Sequence, residues 1–218
     1  MIGKIKSISR NNAIDFLEDK HYSGRKPVTS YCYGWFIGDT LSAVCTFGKP
    51  ASNNLCIGVC GKEYSHKVYE LNRLCAVDGF AEQLSCFVSA CLRRLKNVYG
   101  LIIVSYADTD MGHNGYIYQA CNFIYTGMTK KRTDKYTEGN KHSRHYDKND
   151  DNTLRKVRSA KHRYIFFAMD RREKKKALKN LNYSICEYPK GDNERYVLGD
   201  FLKPKIVSGK GGSHDRPR

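Results

Sequence analysis

Residues 69–127, YELNRLCAVDGFAEQLSCFVSACLRRLKNVYGLIIVSYADTDMGHNGYIYQACNFIYTG, constrain this chain most, because their apolar pattern leaves few ways to fold. Between Leu84 and Leu95 the residues Leu84, Phe87, Val88, Cys91, Leu92 and Leu95 recur at a three-and-four spacing, which predicts a helix with one buried face. Ahead of it, residues 68–77 mix β-branched and aromatic residues with polar ones, which reads as a strand. Asp78 and Gly79 then supply a turn and a helix cap. Behind it, the run LIIVSY at 101–106 is short and apolar enough to be a strand covered on both faces. The unit is a βαβ crossover with parallel strands, followed by a short helix and a third strand. Such sheets take ligands beyond the carboxyl ends of their strands. The polar residues gather there: Asp78 after one strand, and Ser105, Tyr106, Asp108, Asp110 and His113 after the other.

The flanking sequence completes a single mixed domain. Residues 1–9 alternate weakly enough for an opening strand, and Asn11 or Asn12 can cap a short helix carrying Ala13, Ile14, Phe16 and Leu17. HYSGRKP, from His21, is a polar loop. SYCYGWFIGDTLSAVCTFG then reads as a hairpin turning at Gly38 and Asp39. LCIGVC at 55–60 can form a short strand. Past Gly127 about thirty residues are mostly charged and polar, the composition of a functional or mobile loop. HRYIFFAM at 162–169 returns to the sheet as a buried strand, and residues 171–181 make a basic helix. The expected divisions are a core over 1–128, a basic polar insertion over 129–161, a completing strand and basic helix over 162–205, and a disordered tail over 206–218.

Charge is unevenly spread. Of 38 basic and 22 acidic residues, 13 and 10 lie in residues 1–128 and 25 and 12 in residues 129–218, so most of the net charge of +16 belongs to the C-terminal part. Lys130, Lys131, Arg132, Arg155, Arg158, Lys161 and Arg163 are the candidates to neutralise phosphates and release counterions, which points to a polyanion partner. No run approaches the eighteen or so apolar residues of a membrane span. The first ten residues, MIGKIKSISR, have no apolar segment behind their charges, so a cytoplasmic location is expected. Nine cysteines, an odd number placed mostly at apolar periodic positions, read as small core residues rather than a disulfide framework. Their spacing gives no zinc-type ligand set, and His142, His145 and Asp147 form only a weak metal-binding pattern.

Several segments carry a family resemblance. The order of elements is similar to the core of the Gcn5-related N-acetyltransferase superfamily. More narrowly, HYSG at 21–24, YELNRL at 69–74, SYAD at 105–108 and HNGYIYQACNFIYTG at 113–127 resemble the Mom family of bacteriophage Mu and its phage relatives. That resemblance implies an α/β fold with a mixed central sheet and flanking helices. It also implies an acyltransferase-like enzyme, working in the cytoplasm of an infected host bacterium, that modifies adenine in double-stranded phage DNA against host restriction. The implied product carries a carbamoylmethyl group on the exocyclic amine, and the implied donor is acetyl coenzyme A or a related two-carbon, small-molecule or carrier-bound donor. The product bond runs to a CH2 carbon, whereas plain acetyl transfer would join the nitrogen to a carbonyl carbon.

Read with that resemblance, His21 and Tyr22 are catalytic candidates, since an imidazole moves protons near neutral pH. Asp108 can accept a proton from the adenine amine or hold its Watson-Crick edge. Tyr116 and Tyr118 both suit protonation of a leaving group, with Tyr118 the first choice. Arg73 either pairs with Glu70 or an aspartate, or binds a phosphate or carboxylate through its planar fork. The resemblance assigns it, with Leu74, Cys75, Ser85 and Ser105, to the donor. The turn at 77–85, VDGFAEQLS, has one glycine and two carboxylates where acetyltransferases carry a glycine-rich pyrophosphate loop, and Asp78 and Glu82 would repel a diphosphate. A serine nucleophile at Ser105 lacks the strained elbow of hydrolases. Two other functions remain open: acetyl transfer to another amine, and noncatalytic DNA binding on a transferase scaffold.

Overall fold

The computed structural model describes residues 3–23, 26–136, 154–192, 194, 197–199, 203 and 205–208. In chain order the elements are β1 (Lys4–Ser7), α1 (Arg10–Glu18), β2 (Tyr31–Ile37), β3 (Thr40–Gly48), α2 (Asn53–Tyr64), β4 (Val68–Ala76), α3 (Leu84–Val98), β5 (Leu101–Asp108), α4 (Tyr116–Ala120), β6 (Ile124–Met128), β7 (Arg132–Lys135), β8 (Leu154–Arg158), β9 (Lys161–Ala168), α5 (Arg171–Lys179) and β10 (Ile206–Ser208). Seven strands form one mixed sheet in the order β1-β2-β3-β4-β5-β9-β6, and a separate small sheet has the order β10-β8-β7. In the large sheet β4 and β5 are parallel, and the other neighbours are antiparallel. Helices cover both faces, so the chain has the α/β architecture its sequence leads one to expect.

The two faces bury different helices. On one, α3 sets Phe87, Val88, Cys91, Leu92 and Leu95 against Phe47, Leu71, Ile103 and Tyr164, which is the stripe its spacing predicts. On the other, α2 and α5 bury Cys56, Val59, Cys60 and Ala177 against Val68, Ile102, Val104 and Ile165. Beside them α1 buries Ala13, Phe16 and Leu17 against Cys32, Val44 and Cys75. Ser9, two or three residues before the asparagines expected to cap α1, accepts from the Asn12 amide with its hydroxyl and closes the helix start.

Three sequence expectations change. The segment at 55–60 is helical: Cys56, Val59 and Cys60 are buried at a three-and-four spacing, and Ser52 caps the start. Its apolar run is simply too short for period alone to separate helix from strand. The polar stretch expected as one loop contributes β7 and β8, which pair from Arg132 opposite Arg158 to Lys135 opposite Arg155. Where a tail was expected from 206, Ile206–Ser208 pair with Leu154–Lys156 as β10. Residues 137–153, with His142, His145 and Asp147, lie outside the described residues, as do 209–218.

Candidate active site at the parting of two strands

The parallel pairing of β4 and β5 is short. It runs only from Val68–Glu70 opposite Ile102–Val104, although β4 continues along β3 to Ala76 and β5 pairs with β9 over its whole length. Beyond Glu70 and Val104 the two strands share no ladder, and a slot opens between their carboxyl ends. The cause is local. Arg73 lies opposite Thr46 and Leu71 opposite Phe47, which leaves Asn72 as an extra residue in β4; such a bulge bends and further twists its strand. Side-chain bonds pin it: the Thr46 hydroxyl donates to Asn72 Oδ1 at 2.6 Å, and Asn72 Nδ2 donates to the Val28 carbonyl at 2.8 Å. Val28 can come this close only because residue 48 is glycine, where a Cβ would stand 1.8 Å from that carbonyl oxygen.

The bulge also shifts the side-chain alternation. Leu71 and Leu74, three residues apart, both pack on the α3 side. By alternation Glu70 and Arg73 share the opposite face, with Tyr106 and the loop that follows α1. Arg73 Nη1 donates to the Asn72 carbonyl at 2.7 Å, and its charge is felt by His21, Tyr22 and Glu70. Burial pushes the Glu70 carboxyl above the usual carboxylate range, against the pull of Arg73 and Lys161. Burial likewise raises the Tyr106 phenol, and Glu70 adds to it.

His21 and Tyr22 enter the site from the end of α1. The rings stack with centroids 4.4 Å apart, and Tyr22 meets His113 edge-on at 6.1 Å. Burial, then Arg73 and His113, lower the His21 pKa to about 3. The Ser23 amide donates to His21 Nδ1 at 3.2 Å, so the neutral ring carries its proton on Nε2. Burial and the Asp108 charge raise the Tyr22 phenol to about 12. His113, held by a backbone bond from its amide to the Asp108 carbonyl, is lowered by burial, while Asp108 and Glu194 pull it back up.

Asp108 ends β5 almost fully buried. Its Oδ1 accepts from the Ser159 hydroxyl at 2.5 Å and from the Asp110 amide at 3.1 Å, and its Oδ2 pairs with the Lys161 ammonium. Burial alone would raise this carboxyl; the bonds and charge of Lys161 and Ser159 outweigh it and hold the pKa below the ordinary value. From the α3 side, Ser105 is fully buried with its hydroxyl donating to the Leu71 carbonyl at 3.2 Å across the slot. It also shares a side-chain bond with Tyr118, whose phenol burial raises well above its usual range. Tyr118 is set by rings of Phe123 and Tyr164, each with its centroid 5.4 Å away, while Tyr116 is 67% exposed.

The structure therefore gathers His21, Tyr22, Arg73, Ser105, Asp108 and Tyr118 around one slot. Leu74 packs on the α3 side. Cys75 does not face the slot: its side chain is buried under α1. Ser85, in the first turn of α3, offers its carbonyl to the Cys121 thiol at 3.3 Å. Asp78 and Glu82 are exposed on the turn before α3, whose cap residue Gln83 makes no side-chain capping bond. Of the expected phosphate contacts, Lys130, Lys131, Arg132 and Arg155 are exposed, and Arg158 lies beside them, 3.6 Å from Asp134. Lys161 and Arg163 are drawn inward instead. Lys161 serves Asp108, and Arg163 binds Thr126 through Nε and Nη2 at 2.9 and 2.8 Å while its guanidinium lies 3.4 Å over the Tyr183 ring. Ser159, half-buried in the structure, sits in a polar stretch whose sequence has no pattern to single it out, and Glu70 reads from sequence only as a partner for Arg73. Among the described residues no group of three or more His, Cys, Asp or Glu could hold a metal ion, and no helix is long and apolar enough to cross a membrane.

Comparison with known proteins gives one family match: residues 3–190 match the Mom protein family. Among solved structures the chain is similar to an acetyltransferase from Bacillus subtilis in complex with CoA, at 15% identity and a TM-score of 0.45 over 76% of this chain and 99% of that one. A putative acetyltransferase from Salmonella typhimurium with acetyl-CoA gives 6%, 0.49, 78% and 96%. The ribosomal-protein-S18-alanine N-acetyltransferase from Escherichia coli gives 9%, 0.46, 78% and 96%. No curated protein sequence matches the chain.

Proposed function

The chain belongs to the Mom protein family, and from that premise we propose that it is a DNA-modifying transferase. It places a two-carbon, carbamoylmethyl-type group on the exocyclic amine of adenine in phage DNA and so protects that DNA from host restriction. One observation carries the reading: an ionised, buried carboxylate, Asp108, and a protonated, buried phenol, Tyr118, stand on either side of a slot left by two parting strands.

Such a pairing suits attack by an amine on an electrophilic carbon. The new bond runs from the adenine nitrogen to the CH2 carbon, the nitrogen sheds one proton, and the leaving atom gains one. Asp108 is the acceptor of the N–H, and Tyr118 the donor toward the leaving atom. Neutral His21 and the Tyr22 phenol hold and stack on the base rather than exchange its proton, because neither titrates near pH 7. The amine is hidden by pairing inside a duplex, so the adenine must leave the stack at a cost of roughly a few kcal/mol.

The donor would be a two-carbon one, related to acetyl coenzyme A but carrying its leaving atom on the CH2 carbon; acetyl coenzyme A itself is electrophilic at its carbonyl carbon and would give the N-acetyl product of plain acetyl transfer. The edge of β4 past Glu70, unpaired by β5, can bond an extended arm, with Arg73 and Ser105 beside it. Asp78 and Glu82 face a diphosphate unfavourably, so these residues fit the arm and reactive end of such a donor better than its diphosphate.

Mass spectrometry of nucleosides from DNA of cells expressing the protein tests this. A modified deoxyadenosine is expected, falling about 10²–10⁴-fold in Asp108→Ala and Tyr118→Phe proteins. Unaltered deoxyadenosine with the wild-type protein overturns it. Acetylation of some other amine, with coenzyme A retained in the purified protein, would then favour a plain acetyltransferase.

A further inference from the structure

The joint between the small basic sheet and the large sheet is two residues long, Ser159 and Ala160, and both of them, with Lys161 at the start of β9, hold the segment that carries Asp108. Ser159 donates its hydroxyl to Asp108 Oδ1 at 2.5 Å, and Lys161 pairs with Oδ2. Between them, the Ala160 carbonyl accepts from both the amide and the hydroxyl of Thr109, at 3.4 and 2.7 Å. On the near side of this joint β8 carries Arg155, Lys156 and Arg158, paired with β7 and its Arg132 and Lys135. On the far side β9 runs antiparallel to β5 from Lys161 opposite Asp108. The strand that presents basic groups outward thus becomes, within three residues, the strand that fixes the carboxylate.

We propose that Ser159 and Lys161 are positioning residues for Asp108, and that the phosphate backbone of duplex DNA seated on the β7–β8–β10 sheet is felt at Asp108 through this joint. The second half rests on the DNA-modifying reading above; the first does not. A rigid support of this kind matters, because a carboxylate that must meet a flipped base has to be held within a fraction of an ångström. Lys161 supplies the charge that keeps the buried carboxylate ionised, and Ser159 fixes its plane. Among the described residues, the other charged or titratable groups facing Asp108 are Tyr22 from the loop after α1 and His113 from the loop after β5. A surface lysine gripping DNA would behave differently: it would be dispensable to the carboxylate and would contribute to the salt dependence of binding.

The experiment is a pH titration of the Asp108 side-chain carboxyl by carbon-13 NMR in the full chain, assigned with Asp108→Asn, with and without a short DNA duplex. In Lys161→Met the Asp108 titration is expected to rise by about one pH unit or more, with a smaller rise in Ser159→Ala and recovery in Lys161→Arg. Duplex binding by Lys161→Met should keep its affinity within about twofold and its salt slope unchanged. In wild type, added duplex should shift the Asp108 resonance, and Arg132→Gln with Arg155→Gln should weaken that response. An Asp108 titration unmoved in Lys161→Met, or a salt slope reduced by about one in that variant, overturns the positioning role. A duplex that binds without moving the Asp108 resonance overturns the coupling. Protein that passes these tests yet leaves deoxyadenosine unmodified refutes the enzymatic reading and upholds the joint.

Discussion

His21 shows how a residue expected to move protons is recast by its surroundings. Burial against Arg73 and His113 holds its pKa at about 3, far below the ordinary 6.5, so the ring is neutral across the physiological range and donates through Nε2. The unfolded chain binds a proton near pH 6.5 that the folded chain refuses until about pH 3. Stability from this group is therefore present above 6.5 and lost as pH falls, by about 2 kcal/mol between pH 7 and pH 5. Urea melts of wild type and His21→Gln at both pH values isolate it: the variant should lose about 2 kcal/mol less. Equal losses in the two proteins would mean that the imidazole titrates normally. Asp108 has the opposite chemistry, a depressed carboxylate, and its contribution disappears only below the ordinary aspartate range. The family resemblance of HYSG and SYAD brought both residues into view. Their protonation states were not legible, because those depend on Arg73, Lys161 and Ser159 arriving from elsewhere in the chain.

Among the elements, β4 decides whether a site exists at all. Its parallel start with β5 and the apolar stripe of α3 were readable from spacing alone; its register with β3 was not. Neither was the bulge at Asn72. LNRLCA reads as unbroken strand, and nothing in it announces that one residue lacks a partner. The signal lies in three separate places: Thr46, the Val28 carbonyl and the bare Cα of Gly48. Asn72→Ala removes both side-chain bonds and leaves Thr46, fully buried, without its acceptor. A loss of about 1–3 kcal/mol in urea unfolding is expected, together with a larger loss of transfer activity, since Glu70 and Arg73 need the bulge to share a face. Full stability in Asn72→Ala would show that the chain kinks without these bonds. The helix α2 was missed for a related reason. Six residues, two cysteines and a glycine among them, hold too few turns for their period to speak, and it is Ser52 and the packing of Val59 that settle the matter.

For the molecule as a whole, the distribution of charge is more telling than its sum. The core is nearly balanced, and the excess follows residue 128. The fold then sorts that excess into two kinds. Lys130, Lys131, Arg132 and Arg155 remain exposed on or beside the small sheet, whereas Arg163 is spent on Thr126 and Tyr183 inside the large one. Composition could not make this distinction, because seven basic residues within a short stretch look alike until the strands are paired. Binding to duplex DNA, followed by fluorescence anisotropy over a range of salt, separates them. Each exposed cation that neutralises a phosphate adds about 0.9 to the slope of log affinity against log salt. Lys131→Gln and Arg132→Gln should therefore each flatten the slope by about that amount, whatever the DNA sequence. Arg163→Gln should leave the slope alone and instead cost about 1–3 kcal/mol of stability, through the bonds it abandons at Thr126. A slope that Arg163→Gln flattens as much as Lys131→Gln would place the DNA across the start of β9 rather than on the small sheet. The joint at Ser159 would then lie beneath the nucleic acid instead of beside it.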